Sequence, residues 1–196
     1  MARLALVAVC VICLFGGCGN DSLVEEEEKE PSQTEVSLRH WFQQAYRWDG
    51  SLDKELPEPA KSALEQAEEL ELVSLDPGKP AKGENPKSTF HKRKILGTTR
   101  ITDRETRRFL LAAFNEGLRE ANESAECFEP RHCIRVKHQG KVIEVVICFA
   151  CDLGVVYIDG KPDPDLQFTT DHSPRAVFDA LLSASRIQIA RDWNEE

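Results

Sequence analysis

The chain has 196 residues and a mass of 22.1 kDa, the usual size of one domain with an additional segment. Hydrophobic residues make up 41% and charged residues 30%, which excludes a polytopic membrane protein. The formal net charge is −9, and so acidic a chain lacks the basic field of a nucleic-acid-binding protein. The chain contains seven cysteines but only one methionine. The interpretation of the sequence therefore depends on where the cysteines lie.

The N-terminus has the pattern of a secretory signal peptide. Residues 1–18 read MARLALVAVCVICLFGGC, in which Arg3 precedes an apolar run of 12 residues, Leu4–Phe15. The small residues Gly16 and Gly17 follow. A positive n-region, a short apolar h-region and small residues at its end predict export and cleavage. The apolar run is shorter than the roughly 20 residues that a membrane-spanning helix needs.

The end of this segment, Phe15-Gly16-Gly17-Cys18, resembles the lipobox of bacterial lipoproteins. The resemblance implies that Cys18 receives the lipid, palmitate included, and becomes the first residue of the mature chain. It also implies a protein that is lipid-anchored in the cell envelope and faces the periplasm or the exterior. Phe15 departs from the family pattern, which has leucine three positions before the cysteine.

Three regions follow from this interpretation: a signal peptide at 1–17, a lipidated cysteine with an acidic tether at 18–35, and a folded domain at 36–196. The tether contains the block Glu25–Glu28 and no apolar periodicity, which indicates a solvated, self-repelling linker. Cleavage removes Arg3 as the only charged residue, so the net charge changes from −9 to −10. The predicted partners are the membrane, through the lipid, and an envelope protein.

Helices and strands alternate along the remaining chain. Helical periodicity is found at 36–48 and 57–68, and strand-like residues occupy 70–75 and 90–101. Thr102 and Glu105 have the spacing of a capping box, which predicts a helix that continues to Leu118.

A period of two begins after Arg131 and predicts a hairpin that turns at Gln139-Gly140. Its register places Arg135 opposite Glu144. A third strand at 155–158 follows. Ser173 and Pro174 then predict a helix N-cap and first turn, while Ile187 and Ile189 suggest a last strand. Asp163 and Asp165 are interpreted as charges in a Pro-rich turn. The order predicts one α+β domain, a mainly antiparallel sheet with helices packed on one face.

Four cysteines remain after Cys10, Cys13 and Cys18 are assigned to the signal peptide and the anchor. They are the disulfide candidates Cys127, Cys133, Cys148 and Cys151, in CFEPRHC and ICFAC. An even number of thiols in an exported domain favours bridges, each worth roughly 2–4 kcal/mol. The hairpin register makes Cys133 and Cys148 diagonal neighbours, so the expected pairings are Cys127–Cys148 or Cys127–Cys151.

Two other uses of the cysteines stay open. Cys148-x-x-Cys151 has the spacing of half a zinc site, which Cys127 with His132 or Cys133 would complete. Thiol-redox chemistry is the other use, although redox Cys-x-x-Cys motifs open a helix and Cys148 lies in a predicted strand. Apart from zinc, the sequence predicts no cofactor.

The combination CFxPRH…ICFxC is similar to a pattern in uncharacterised bacterial exported proteins, a family that implies no particular chemistry. The P-loop, GxGxxG, GxSxG and HExxH motifs are absent. The expected function is therefore a disulfide-stapled binding or structural domain of the envelope, without evident catalytic activity. The alternative is a metal-binding or thiol-redox protein that uses the four cysteines.

Overall fold

The computed structural model describes residues 33–53, 55–78, 89–120 and 128–190. The predicted signal peptide, Cys18, most of the tether and Cys127 lie outside them. Four helices occur in the described residues: α1 (Gln33–Arg47), α2 (Glu58–Glu65), α3 (Arg104–Gly117) and α4 (Arg175–Ala184). None of the helices in these residues is long and apolar enough to span a membrane.

The strands form one sheet. They are β1 (Leu70–Asp76), β2 (Thr89–Phe90), β3 (Arg93–Ile101), β4 (Leu118–Arg119), β5 (His132–His138), β6 (Lys141–Cys148), β7 (Leu153–Ile158) and β8 (Lys161–Thr170). Their spatial order is β2-β3-β1-β5-β6-β7-β8-β4, and every neighbouring pair is antiparallel. The predicted α+β class is confirmed.

The β5–β6 hairpin has the predicted register, with Ile134 opposite Val145 and Arg135 opposite Glu144. Gln139 and Gly140 form its two-residue turn, with φ angles of 49° and 78°. Two positive φ angles belong to a type I′ turn, whose twist matches that of the strands. Glycine takes this conformation at little steric cost, so Gly140 helps to fix the register.

The core lies between the helices and one face of the sheet. Trp41 of α1, Leu64 of α2, Phe114 of α3 and Phe178 of α4 all belong to it, and inward strand residues such as Leu72 complete it. The opposite face carries a smaller cluster around Val73, Phe90, Cys133 and Val146. Strand alternation produces the two faces, because successive side chains point to opposite sides.

The start of α3 differs from the expected capping box at Thr102 and Glu105. Asp103 is the N-cap, and its carboxylate accepts hydrogen bonds from the Thr106 amide at 2.7 Å and the Thr106 hydroxyl at 2.8 Å. The bond from the Thr106 amide is the main cause of a lowered Asp103 pKa. An ionised carboxylate is also favoured at the N-terminus of a helix, the positive end of its dipole. Asp103 therefore both caps α3 and interacts favourably with its dipole.

Three C-terminal predictions are wrong. Asp163 and Asp165 lie in β8 rather than in a turn, at an irregularity between Pro162 and Gln167 where the ladder with β7 is interrupted and a proline is tolerated. Pro174 is the N-cap of α4, while Ser173 bonds to Asp171. Residues 187–190 form no strand. Instead, the Ile187 side chain packs over Gly97, so closely that a Cβ atom at position 97 would clash with it.

Candidate functional site

The two halves of the CFxPRH…ICFxC pattern meet at one end of the β5–β6 hairpin. His132 begins β5 and lies opposite Ile147, next to Cys148 at the end of β6. Arg131 and His132 are buried, as are Phe149 and both ends of the Cys148-x-x-Cys151 segment. The register of one hairpin therefore assembles residues that are 16 positions or more apart in the chain.

The disulfide joins Cys148 to Cys151, with Cα atoms 5.2 Å apart. The expected bridges from Cys127 to either residue are wrong, because both sulfurs are already bonded to each other. The reason is a tight turn after β6, where the Cys151 amide donates to the Cys148 carbonyl at 3.2 Å. This turn brings the two side chains together, whereas a strand continued past Cys148 would separate them.

Cys133 is a free, fully buried thiol on the other face of the sheet from His132. Burial raises its pKa well above the ordinary value, and the nearby Glu144 carboxylate adds to the effect. Cys133 therefore stays protonated near neutral pH. Since the thiolate is the nucleophile and the metal ligand, Cys133 has the properties of a small core residue.

The structure does not assemble the zinc set expected from Cys127, His132, Cys133, Cys148 and Cys151. Strand alternation directs His132 and Cys133 to opposite faces, so these neighbours do not converge on one ion. The sulfurs of Cys148 and Cys151 are bonded to each other in the disulfide and cannot bind zinc in that state, and Cys127 lies outside the described residues. No group of three or more histidine, cysteine or carboxylate ligands converges elsewhere in the described part of the chain.

A histidine–carboxylate pair lies at the centre of the site. His132, only 1% exposed, places Nε2 2.8 Å from Oδ1 of Asp179 on α4. Arg175 donates from Nε to the other oxygen of Asp179 at 3.2 Å. The rings of Phe149 and Phe178 enclose the imidazole, with centroids 5.2 and 5.6 Å away.

The same contacts set the protonation of Asp179. Burial acts to raise its pKa, but the hydrogen bond and charge of His132, together with Arg175, outweigh burial and lower it. Asp179 is therefore ionised over the neutral range and holds the imidazole in one orientation.

Two cavities adjoin this pair. A cavity of about 10 Å³, roughly the size of one water, is lined by Arg131, His132, Phe149 and Arg175 among others. An open groove of about 1140 Å³ runs between α1 and α4 and includes Trp41, Arg119, His172 and Asp179 in its walls. The groove is the larger space in which a ligand would meet the carboxylate of the pair.

A second charged cluster lies on the other face of the sheet. The predicted Arg135–Glu144 pair is present at 2.9 Å, and Arg135 also binds Glu71 at 2.7 Å. His91 approaches the second oxygen of Glu144 at 2.8 Å and stacks on Tyr157. Glu144 is buried, so these partners offset the cost of removing its charge from water.

Sequence reasoning missed His91 because it treated residues 90–101 as one strand. The chain instead turns at His91-Lys92, where both φ angles are positive, and separates β2 from β3. Neither residue is a glycine or asparagine, so the usual signal for such a turn is absent. His132 and Asp179 were also missed as a pair, because they come from elements 47 residues apart.

Comparison of the chain with family models, with curated proteins and with solved structures finds no match. The protein is therefore classified by its own fold and by the geometry of its site. It is an α+β domain with one disulfide-closed turn, a buried histidine–carboxylate pair and a groove beside that pair.

Proposed function

We propose that this chain is an exported, lipid-anchored protein of the cell envelope whose α+β domain is a binding or structural module. The observation that carries the proposal is the order of a signal-like segment, Cys18 and an acidic tether before the folded domain. The Cys148–Cys151 disulfide supports it, because such bonds persist mainly in oxidising compartments.

The groove between α1 and α4 supports binding in particular. Ligand sites are concave, with an apolar lining and a few placed polar groups. Trp41, Ala176 and Ala180 supply apolar surface in the groove, and Arg119 and Asp179 supply charge. Asp179 is held in place by His132 and Arg175, so its carboxylate is preorganised for a polar contact.

The anchor is tested by following the full chain in a bacterial host that processes lipoproteins. We expect radioactive palmitate to label the wild type and globomycin, which blocks the lipoprotein signal peptidase, to leave a larger precursor. Cys18→Ser removes the attachment sulfur, so it should abolish labelling. Cys13→Ser is the matched control, because it changes a cysteine inside the apolar run and should leave labelling intact. Normal processing of the wild type under globomycin, together with normal processing of Cys18→Ser, would refute lipidation.

Thiol-redox chemistry is the second candidate, and the pairing of Cys148 with Cys151 favours it. A disulfide within Cys-x-x-Cys is the arrangement that redox proteins use. The Glu129 amide also lies 3.5 Å from Sγ of Cys151, where it would stabilise a thiolate. Against this function, Cys148 is 1% and Cys151 4% exposed, so an attacking thiol has little access.

Alkylation with and without reductant distinguishes a structural disulfide from a redox-active one. For the structural bridge, we expect Cys148 and Cys151 to react only after the protein is both unfolded and reduced. Cys133 should react after unfolding alone, because it is buried and protonated. Peptide mass spectrometry identifies each labelled site, and Cys133→Ala confirms the assignment of that thiol. Reduction of the folded protein by a mild dithiol would support the redox function instead, and stoichiometric bound zinc would support metal binding.

A further inference from the structure

The disulfide closes a four-residue loop, residues 148–151, which we call the disulfide loop. Phe149 lies inside this loop and is 4% exposed, and its ring contacts those of His132 and Phe178, with centroids 5.2 and 5.1 Å away. Phe178 belongs to α4, and His132 is hydrogen-bonded to Asp179 of the same helix at 2.8 Å. The disulfide loop therefore supports the middle of α4 in two ways, directly through Phe149 and indirectly through His132.

The backbone after β6 needs a constraint to hold the disulfide loop in this shape. Asp152, directly after the loop, has a φ of 53°, in the left-handed region that residues other than glycine adopt infrequently. A disulfide stabilises such a loop mainly because it removes alternative conformations from the open chain. The strands on either side are held by their own ladders of backbone hydrogen bonds. Loss of the disulfide would therefore release Phe149 from its place under α4 more than it would disturb the sheet.

Helix α4 is also one wall of the groove. Four of its residues face that space between Asp179 and the two ends of the helix: Ala176, Asp179, Ala180 and Ser183. Leu182, near the end of α4, is fully buried and anchors the helix to the core whether or not the disulfide is present. The disulfide loop therefore controls how often the Asp179 region of this wall opens, and the helix itself persists in both states.

We propose that formation of the Cys148–Cys151 bond after export fixes α4 in place and so completes the groove. This inference rests on the proposed function and adds the regulation of the same site. In the step, the S–H bonds of both cysteines break and one S–S bond forms. The two electrons and two protons pass to a disulfide oxidant, whose own S–S bond becomes two thiols. Because cytosolic thiols are kept reduced, the α4 wall is loose before export and fixed after it.

Amide hydrogen exchange of the purified full-length protein tests this proposal. The double variant Cys148→Ser, Cys151→Ser represents the reduced form. We expect the amides of α4 to exchange at least about tenfold faster in this variant than in the oxidised wild type. The amide of Leu72, fully buried in the central strand β1, is the reference for opening of the whole domain and should change by a much smaller factor. Cys133→Ala is the matched control, because it changes a cysteine on the other face and should leave the ratio of the two rates unchanged.

Phe149 provides a second test in which the disulfide stays intact. Phe149→Ala should also accelerate exchange in α4 relative to Leu72, because it removes the ring that supports Phe178. Phe149→Leu should restore most of the protection, since leucine refills much of the apolar space. Equal acceleration at α4 and Leu72 in these variants would show that the bond stabilises the whole domain without acting on α4, and it would overturn the proposal.

The coupling is reciprocal, so a helix that the disulfide stabilises must stabilise the disulfide by the same factor. Asp179→Ala removes the bond from α4 to His132 and should shift the equilibrium of the disulfide with a dithiothreitol redox buffer toward the reduced form by about threefold or more. The equilibrium is approached from both the reduced and the oxidised protein. Phe42→Ala on α1 is the control and should leave it unchanged. An unchanged equilibrium in Asp179→Ala would contradict the proposal. None of these readouts uses a lipid or a groove ligand, so this inference and the proposed function can fail separately.

Discussion

Replacement of Phe178 by alanine is expected to lower the free energy of unfolding by about 3–5 kcal/mol, the usual cost of truncating a buried phenylalanine. Phe178 is 0% exposed and joins α4 to the sheet. Its ring contacts those of His132, Phe149 and Phe114, with centroids 5.1 to 6.3 Å away. Truncation would leave a cavity beside the His132–Asp179 pair. Because whole domains are stable by only about 5–15 kcal/mol, much of the stability would be lost.

Urea unfolding followed by circular dichroism measures this effect. Phe42→Ala is the matched control, because Phe42 is 50% exposed although it rests against Phe109. We expect the control to cost about 1 kcal/mol or less, as surface substitutions usually do. If Phe178→Ala were as stable as Phe42→Ala, then α4 would not pack on the sheet as described.

Replacement of Glu144 by alanine is expected to cost about 3 kcal/mol, because it breaks a buried ionic network. The side chain of Glu144 is 7% exposed, and its two oxygens contact Arg135 and His91. Its loss leaves His91 without its carboxylate partner and leaves Arg135 with Glu71 only. The β2–β3 hairpin would then lose one of the two contacts that His91 makes with the sheet, while its stacking on Tyr157 would remain.

Urea unfolding gives the energy, and amide hydrogen exchange at Thr89–Lys94 reports on the hairpin. Glu71→Ala removes the other carboxylate from Arg135, but the Glu71 side chain is 27% exposed and pairs with Arg135 rather than with His91, so its loss should cost about 1 kcal/mol or less. Exchange in the hairpin should rise in Glu144→Ala and stay unchanged in Glu71→Ala. Equal effects of the two substitutions on both measurements would show that Glu144 does not hold the hairpin.

The elements with strong local signals were predictable. The β5–β6 hairpin follows from alternating residues around Gln139-Gly140, and its register is confirmed pair by pair. Helix α3 follows from apolar residues at helical spacing, and its buried face includes Phe109, Leu110 and Phe114. Each of these elements is specified by residues within about 15 positions of one another, where periodicity and turn chemistry suffice.

The elements without such signals were not predictable. β8 contains two prolines and resembles a turn in sequence, yet an edge strand accepts prolines whose nitrogen faces away from the sheet. The turn at His91-Lys92 uses residues that rarely take positive φ, and its position depends on the contacts of His91 with Glu144 and Tyr157. Tertiary contacts outweighed local preference in both segments.

The sequence by itself determined the α+β class, because apolar periods of two and 3.6 recur in order, and it places Cys133, Cys148 and Cys151 close together along the chain. Only the tertiary structure decided how those cysteines and the neighbouring histidine are used. The turn after β6 joins Cys148 to Cys151, and strand alternation buries Cys133 on one face and His132 on the other. The partner of His132 is Asp179, from the last helix. Such pairings depend on how distant elements pack, and spacing along the chain does not contain that information.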